Sequence, residues 1–148
     1  MVRLLIPIID VCVVTEAVRH AKVLSRNTHE ITVELLEILP PPDQGRVVAF
    51  HSVADQRQED LRAREDAVWS ARSMLDQAHI AYKLTRAFGP VPQVIAAFAR
   101  DNKCDVVVID ASCLSAFRGL SLVTRLWRLT TIPITLLHAA KEAGSGHR

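Results

Sequence analysis

Short apolar runs alternate with amphipathic stretches along the chain. Runs at residues 4–9, 31–39, 80–87, 106–109 and 134–137 have the length and β-branched content of buried strands. Apolar positions at helical spacing predict helices at residues 15–26, 58–79 and 119–130, and a further helix between Pro92 and Asn102. Because strand and helix alternate, we predict one α/β domain of Rossmann-like architecture, with a parallel sheet covered by helices on both faces.

The second predicted strand differs from the others. Glu34 and Glu37 interrupt the apolar run at residues 31–39, so we expect this strand to be partly exposed or to lie nearer an edge of the sheet. Prolines and Gly45 predict a loop at residues 40–45, and residues 46–56 form either loop or a short helical turn.

Composition limits the classes of function. With 148 residues the chain can bury a core without disulfides, and its net charge of +2 gives no strong field for nucleic acid or a membrane surface. No segment approaches the length of a membrane span. The odd count of three cysteines is typical of a reducing compartment, so we expect a cytoplasmic protein. We expect the domain to span residues 1–140 and residues 141–148 to form a mobile tail.

The stretch from Cys104 to His138 contains the main candidate site. It begins with the apolar run that ends at Asp110, and a small, polar loop from Asp110 to Arg118 follows. In an open α/β sheet, ligands bind beside the loops that leave the carboxyl ends of the strands. What this loop can bind is therefore the main functional question.

Three segments together resemble the universal stress protein family. They are Pro7–Asp10, the segment GPVPQVIAAFARDNKCDVVVID at residues 89–110, and Pro133–His138, and the resemblance extends over residues 4–138. It implies a five-stranded parallel sheet in the order 3-2-1-4-5, in a Rossmann-like fold of the adenine nucleotide alpha hydrolase-like type. The first and fourth strands would then be neighbours.

The resemblance also allows a comparison with the family's nucleotide-binding motif. In nucleotide-binding members the fourth strand leads into G-x2-G-x9-G-[S/T], in which glycines let backbone amides approach phosphates closely. Here Asp110, Cys113 and Val123 stand at the glycine positions, and Thr124 alone keeps the hydroxyl. The family's D-G-S after the first strand becomes Asp10-Val11-Cys12. The resemblance therefore implies a member that does not hold ATP through this loop and needs no cofactor.

An alternative remains open for nucleotide binding. A regulator that binds ATP or another adenine nucleotide, such as AMP, would use Asp10, Thr124 and backbone amides of the altered loop. In that case the cofactor-binding set is Asp10, Asp110, Cys113, Val123 and Thr124.

The implied strand order brings four chemically active side chains to one place, which we call the mouth: Asp10, Cys12, Asp110 and Cys113. Two carboxylates and two thiols there form either a soft-metal site or a redox pair, or they are small buried thiols beside a capping carboxylate. A redox pair requires that the loops bring the two Cα atoms within the roughly 7 Å that a disulfide allows, and loops can also separate them by more than this. Asp10 either caps the following helix or orients a ligand.

The last helix has two different outer faces. Arg118, Arg125 and Arg128 share one face, which is solvated or contacts a partner, unless Arg118 and the helix N-terminus hold an anion. The apolar residues of this helix, from Leu120 to Leu129, cover more of the circumference than one core requires, which indicates burial by a second subunit.

The last strand, at residues 134–137, would be an edge strand without charge or bulge. In the family this strand commonly pairs across a two-fold axis, so the resemblance implies a homodimer. The predicted interface residues are Trp127, Pro133, Ile134, Thr135, Leu136, Leu137 and His138.

No catalytic constellation emerges from the sequence, since the six histidines show no metal-ligand spacing. The resulting hypothesis is a cytoplasmic, dimeric, stress-associated protein that acts by interaction with an unidentified protein partner. Thiol or metal chemistry at the mouth is the enzymatic alternative.

Overall fold

The computed structural model describes residues 1–10, 12–27, 30–39 and 51–138, and strands and helices alternate throughout. The predicted loop at residues 40–45 and the predicted tail at residues 141–148 lie outside these ranges, as does Val11. The elements are β1 (Val2–Ile9), α1 (Thr15–Asn27), β2 (Ile31–Leu39), α2 (His51–Gln77), β3 (Ala81–Phe88), α3 (Val91–Asp101), β4 (Val106–Asp110), α4 (Ala116–Leu129) and β5 (Ile134–Leu137).

The strands form one parallel sheet in the order β3-β2-β1-β4-β5, which confirms the predicted topology. β1 pairs with β2 on one side and with β4 on the other, where Leu4 lies beside Val106 and Leu5 beside Val107. The direction of strand succession reverses between β1 and β4. The loops that follow these two strands therefore diverge at a switch point of the kind where α/β sheets bind ligands.

Each face of the sheet carries its own apolar core, because alternate residues of β1 point to opposite faces. Leu4, Ile6 and Ile8 pack with α1 and α2 in one core. Leu5 and Ile9 pack with α3 and α4 in the other. Helices thus cover both faces, as predicted, and they fix the carboxyl ends of the strands.

Of the two alternatives expected for β2, partial exposure was wrong, whereas a position nearer an edge agrees with the sheet, in which β3 is the only described strand outside β2. β2 lies between β3 and β1, and both of its glutamates are buried. Each has an arginine on the adjacent strand: Arg86 Nε lies 2.9 Å from Glu37 Oε1, and Arg3 Nε lies 3.9 Å from Glu34 Oε2. A buried carboxylate needs such a partner, and a hydropathy pattern does not reveal partners on other strands.

Two helices begin earlier than the sequence predicts. α2 begins at His51 and so includes residues 51–56, while residues 46–50 lie outside the described ranges. α4 begins at Ala116 because the Ser115 hydroxyl accepts a hydrogen bond from the Arg118 backbone N–H at 3.1 Å, which caps the first turn. Among the described helices, none combines the length and the apolarity that crossing a bilayer requires.

Candidate functional site

Asp110 ends β4 with a buried carboxylate whose two oxygens both accept hydrogen bonds. Oδ2 accepts the backbone N–H of Ala17 at 3.0 Å, in the first turn of α1. Oδ1 accepts the Ser112 backbone N–H at 3.0 Å and also the Ser112 hydroxyl. The amides of a first helical turn lack partners within the helix, and the helix dipole favours a negative charge there. Asp110 therefore has the capping role that the sequence had left open for Asp10.

Asp10 instead pairs with the last helix. Its backbone has a φ of +56°, a left-handed conformation that glycine, asparagine and aspartate adopt more readily than other residues. Its Oδ2 lies 3.1 Å from Nη2 of Arg118, and the two side chains are 53% and 59% exposed. An ion pair with this exposure contributes about 1 kcal/mol or less. The ion pair nevertheless involves the Arg118 guanidinium, which the sequence indicated as a candidate anion-binding group.

Cys12 and Cys113 meet across the mouth. Their Cα atoms are 5.9 Å apart and their sulfur atoms are joined. This Cα separation is ordinary for a disulfide. The sequence had left open whether the loops hold the thiols too far apart, and they do not. Each cysteine lies in a tight turn at the end of one of two paired strands, and those turns face each other.

The remaining two residues of the motif lie elsewhere. Val123 and Thr124 are in the interior of α4, and the Thr124 hydroxyl donates to the Leu120 carbonyl at 2.8 Å. Since a helix rises 1.5 Å per residue, they lie roughly 10–12 Å along its axis from Ala116. The structure brings Asp10, Asp110 and Cys113 together and does not bring Val123 or Thr124 to them.

The serines of this segment were missed by the sequence reasoning, although their signals are present. Ser112 lies two residues after Asp110, the spacing of a side-chain turn. Ser115 directly precedes α4, where serine is a preferred cap. Ser112 donates to Asp110, and Ser115 accepts from the Arg118 amide, so these polar groups of the loop are paired with each other.

Two cavities border the mouth. One of about 180 Å³ lies between the end of β1, the start of α3 and α4, with Arg118 and Arg125 in its lining. The other is a largely apolar groove of about 790 Å³ beside β5, and Leu120 and His138 help to line it. Ligand pockets usually measure about 300–1,000 Å³, so the cavity beside the arginines is small for a nucleotide. Among the described residues, no group of three or more histidine, cysteine or acidic side chains has a metal-binding arrangement.

Cys104 differs from the other two cysteines. It lies before β4, at the opposite end of that strand from Cys113, and it is buried. Desolvation, with the nearby charge of Glu34 as a smaller cause, raises the pKa of its thiol from 9.0 to about 11. The thiol is therefore protonated at neutral pH, and its burial restricts access by reagents.

A prediction follows for Cys104. In the native protein at pH 8 we expect it to resist iodoacetamide, and to react once the chain is unfolded in urea. Because folding raises the pKa of the Cys104 thiol, the contribution of this thiol to the free energy of unfolding is complete below pH 9. That contribution decreases as the pH rises towards about 11. Mass spectrometry of the alkylated chain tests this, and rapid labelling of native Cys104 would contradict it.

An apolar surface extends from β5 onto α4. β5 is an edge strand: one side pairs with β4, and no described strand pairs with the other side. On α4, Leu122 and Leu126 enter the core, whereas Leu120 and Trp127 are exposed on the outside, Trp127 to 78%. Leu120 and Trp127 are two helical turns apart, so they share one side of the helix.

The sequence matches the model of the universal stress protein family over residues 8–143. This chain belongs to the universal stress protein family. No curated protein matches it significantly. Solved structures of universal stress proteins share the fold, as the topology had indicated.

Three of these structures show how far the likeness extends. The Archaeoglobus fulgidus universal stress protein in complex with dAMP has a TM-score of 0.65 at 14% identity, over 92% of this chain and 97% of its own. An Arabidopsis thaliana universal stress protein family member with AMP bound has a TM-score of 0.66 at 11% identity, over 97% and 95%. UspA from Lactobacillus plantarum has a TM-score of 0.64 at 14% identity, over 92% and 97%. At identities of 11–14%, the similarity to these structures shows a shared fold and nothing further.

Proposed function

We propose that this universal stress protein is a cytoplasmic homodimer that acts in the stress response by binding protein partners rather than by turnover, and that its mouth does not hold ATP tightly. One observation supports the ATP part of this proposal above all others: the polar groups that would face a phosphate are engaged by acceptors of the chain itself.

A phosphate group needs free N–H donors or unpaired cations. At this mouth the Ala17 and Ser112 amides donate to Asp110, and the Arg118 amide donates to Ser115. The Arg118 guanidinium is paired with Asp10. A triphosphate would have to displace these acceptors, and it would meet the carboxylate of Asp110 at close range.

The surface of β5 and α4 supports the dimeric part of the proposal. An unpaired, uncharged edge strand is a template for pairing with another strand, and here it has no charged residue between Ile134 and Leu137. Trp127 and Leu120 extend the same apolar surface onto α4. Exposed aromatic side chains beside an open edge are typical of an interface. A second copy of the chain, related by a two-fold axis, presents a matching edge.

A nucleotide-binding regulator is the second candidate. Arg118 and Arg125 line the cavity of about 180 Å³ beside the mouth, and relatives have been solved with AMP or dAMP. The ion pair of Arg118 with Asp10 is exposed, so releasing Arg118 towards a single phosphate costs about 1 kcal/mol or less. A nucleotide-binding regulator of this kind would therefore bind a nucleoside monophosphate in preference to ATP.

Calorimetric titration of the purified protein with ATP and Mg²⁺, and separately with AMP, tests the proposal. We expect no saturable heat with ATP, which corresponds to a Kd weaker than about 1 mM. Binding of ATP in the micromolar range would contradict the proposal. Saturable binding of AMP without binding of ATP would favour the second candidate, and turnover of either nucleotide would favour an enzyme.

A further inference from the structure

We propose that Cys12 and Cys113 are a reversible dithiol–disulfide pair, and that oxidation by a hydroperoxide ties the β1–α1 loop to the β4–α4 loop across the mouth. This inference goes beyond the proposed function, since it requires neither nucleotide binding nor a dimer. It rests on where the fold places the two residues.

The fold keeps the two thiols close even without a bond between them. Their turns follow neighbouring strands that are paired at Leu5 and Val107. The Cys12 backbone N–H donates to the Ile9 carbonyl at 3.2 Å, and the Leu114 N–H donates to the Ala111 carbonyl at 3.1 Å. With Cα atoms 5.9 Å apart, the side chains form a bond without large movement of the backbone.

The two cysteines differ in access, which assigns their roles. Cys113 is exposed, whereas Cys12 is buried. Cys113 also lies two residues before Ser115, the cap of α4, and the N-terminus of a helix favours a nearby thiolate. Cys113 is therefore the thiol that meets the oxidant, and Cys12 resolves the product. Cys104, buried at the far end of β4, takes no part.

The reaction balances with one hydroperoxide molecule. The Cys113 thiolate attacks one peroxide oxygen, the O–O bond breaks, and the departing hydroxide takes up a proton as water; Cys113 becomes a sulfenic acid. The Cys12 sulfur then attacks the Cys113 sulfur and the S–O bond breaks. The leaving hydroxide takes the Cys12 proton as a second water. Two thiols are oxidised to one disulfide, and hydrogen peroxide is reduced to two waters.

Reduction follows by thiol–disulfide exchange with a small dithiol, which leaves as its own cyclic disulfide while both cysteines regain their protons. The loops are then linked across the mouth by weaker contacts, among them the exposed pair of Asp10 and Arg118 and the bond from Ala17 to Asp110. The oxidised and reduced proteins thus differ in how firmly the segment from Ala111 to Arg118 is held.

The full-length chain tests this directly. The protein is reduced with dithiothreitol, desalted, treated with one equivalent of hydrogen peroxide and labelled with N-ethylmaleimide under denaturing conditions. We expect the wild type to lose the mass of two hydrogen atoms, to block Cys12 and Cys113 as one linked peptide pair, and to leave Cys104 available for labelling. A second addition of dithiothreitol restores all three labels.

Hydrogen–deuterium exchange then measures the effect on the mouth. Peptides covering residues 12–17 and 111–118 are expected to exchange at least about fivefold faster in the reduced protein. C113S is expected to exchange like the reduced wild type with or without peroxide, and the matched variant C104S is expected to respond like the wild type. C12S, at the buried position, is expected to give the same result as C113S. If C12S does not fold, the comparison of C113S with the wild type is sufficient for the test.

Four results would each overturn the inference. The first is a pair that stays reduced with peroxide, and the second is a disulfide between chains instead of within one. The third is a native disulfide that dithiothreitol does not reduce, which would mean a permanent bond. The fourth is equal exchange of both segments in the two states. None of these results concerns ATP binding. The calorimetric titration therefore tests the proposed function independently of the redox experiments.

Discussion

Trp127→Arg is expected to convert the proposed homodimer into a monomer. Trp127 is 78% exposed within one chain and continues the apolar surface of the β5 edge, so a two-fold contact through β5 would bury it at the interface. Large aromatic residues at the centre of an interface often carry about 2 kcal/mol or more of its free energy, and a buried guanidinium without a partner adds a penalty. Light scattering should show a mass falling from twice 16.4 kDa to 16.4 kDa.

Trp69→Arg is the matched control. Trp69 is also exposed, to 71%, but it lies on α2, which packs on the other face of the sheet from α4. This variant should remain a dimer with the circular dichroism spectrum of the wild type. If W127R stays dimeric, or if both variants dissociate alike, the interface does not lie on β5 and α4.

Asp110→Ala is expected to lower the free energy of unfolding by about 2–3 kcal/mol. The substitution removes the acceptor of the Ala17 and Ser112 amides, and the Ala17 donor is buried. A buried donor without a partner costs about 1–3 kcal/mol, and loss of a helix cap about 1 kcal/mol. Urea denaturation at constant reducing conditions measures the change without a contribution from the disulfide.

Asp101→Ala serves as the control for this stability experiment. Asp101 is an exposed aspartate at the end of α3 whose side chain contacts Arg100, so we expect a change within about 0.5 kcal/mol. Asp110→Asn keeps one acceptor oxygen and should fall between the two alanine variants. Equal stability of D110A and D101A would show that Asp110 is not a cap of α1.

Much of the fold could be predicted from the sequence because strand and helix periods depend on local patterns. The bounds of β2 and β5 were predicted to the residue, and α1 differs by one residue at its end. The strand order came from the resemblance to a family, since local patterns alone do not specify which strands are neighbours. The early start of α4 was missed, although Ser115 is a recognisable cap.

The contacts of the mouth could not be predicted from local patterns. Asp110 reaches Ala17 across 93 positions, and Arg118 reaches Asp10 across 108. Such contacts depend on where two loops end in space, to within an ångström or two. The sequence therefore indicated which residues converge there, while the pairing between them came from the structure. The same reason explains the pairing of the buried Glu37 with the exposed Arg86 on the adjacent strand.

We infer that the mouth does not hold a phosphate tightly, because its Ala17, Ser112 and Arg118 amides donate to Asp110 and Ser115 and the Arg118 guanidinium pairs with Asp10. The most direct test is an NMR titration of the ¹⁵N-labelled protein with ATP and Mg²⁺, in which the backbone amide signals of Ala17, Ser112 and Arg118 are followed. These amides donate to Asp110 and Ser115, so their signals should not move as ATP is added to about 1 mM. Progressive, saturable shifts of these three signals would contradict the account.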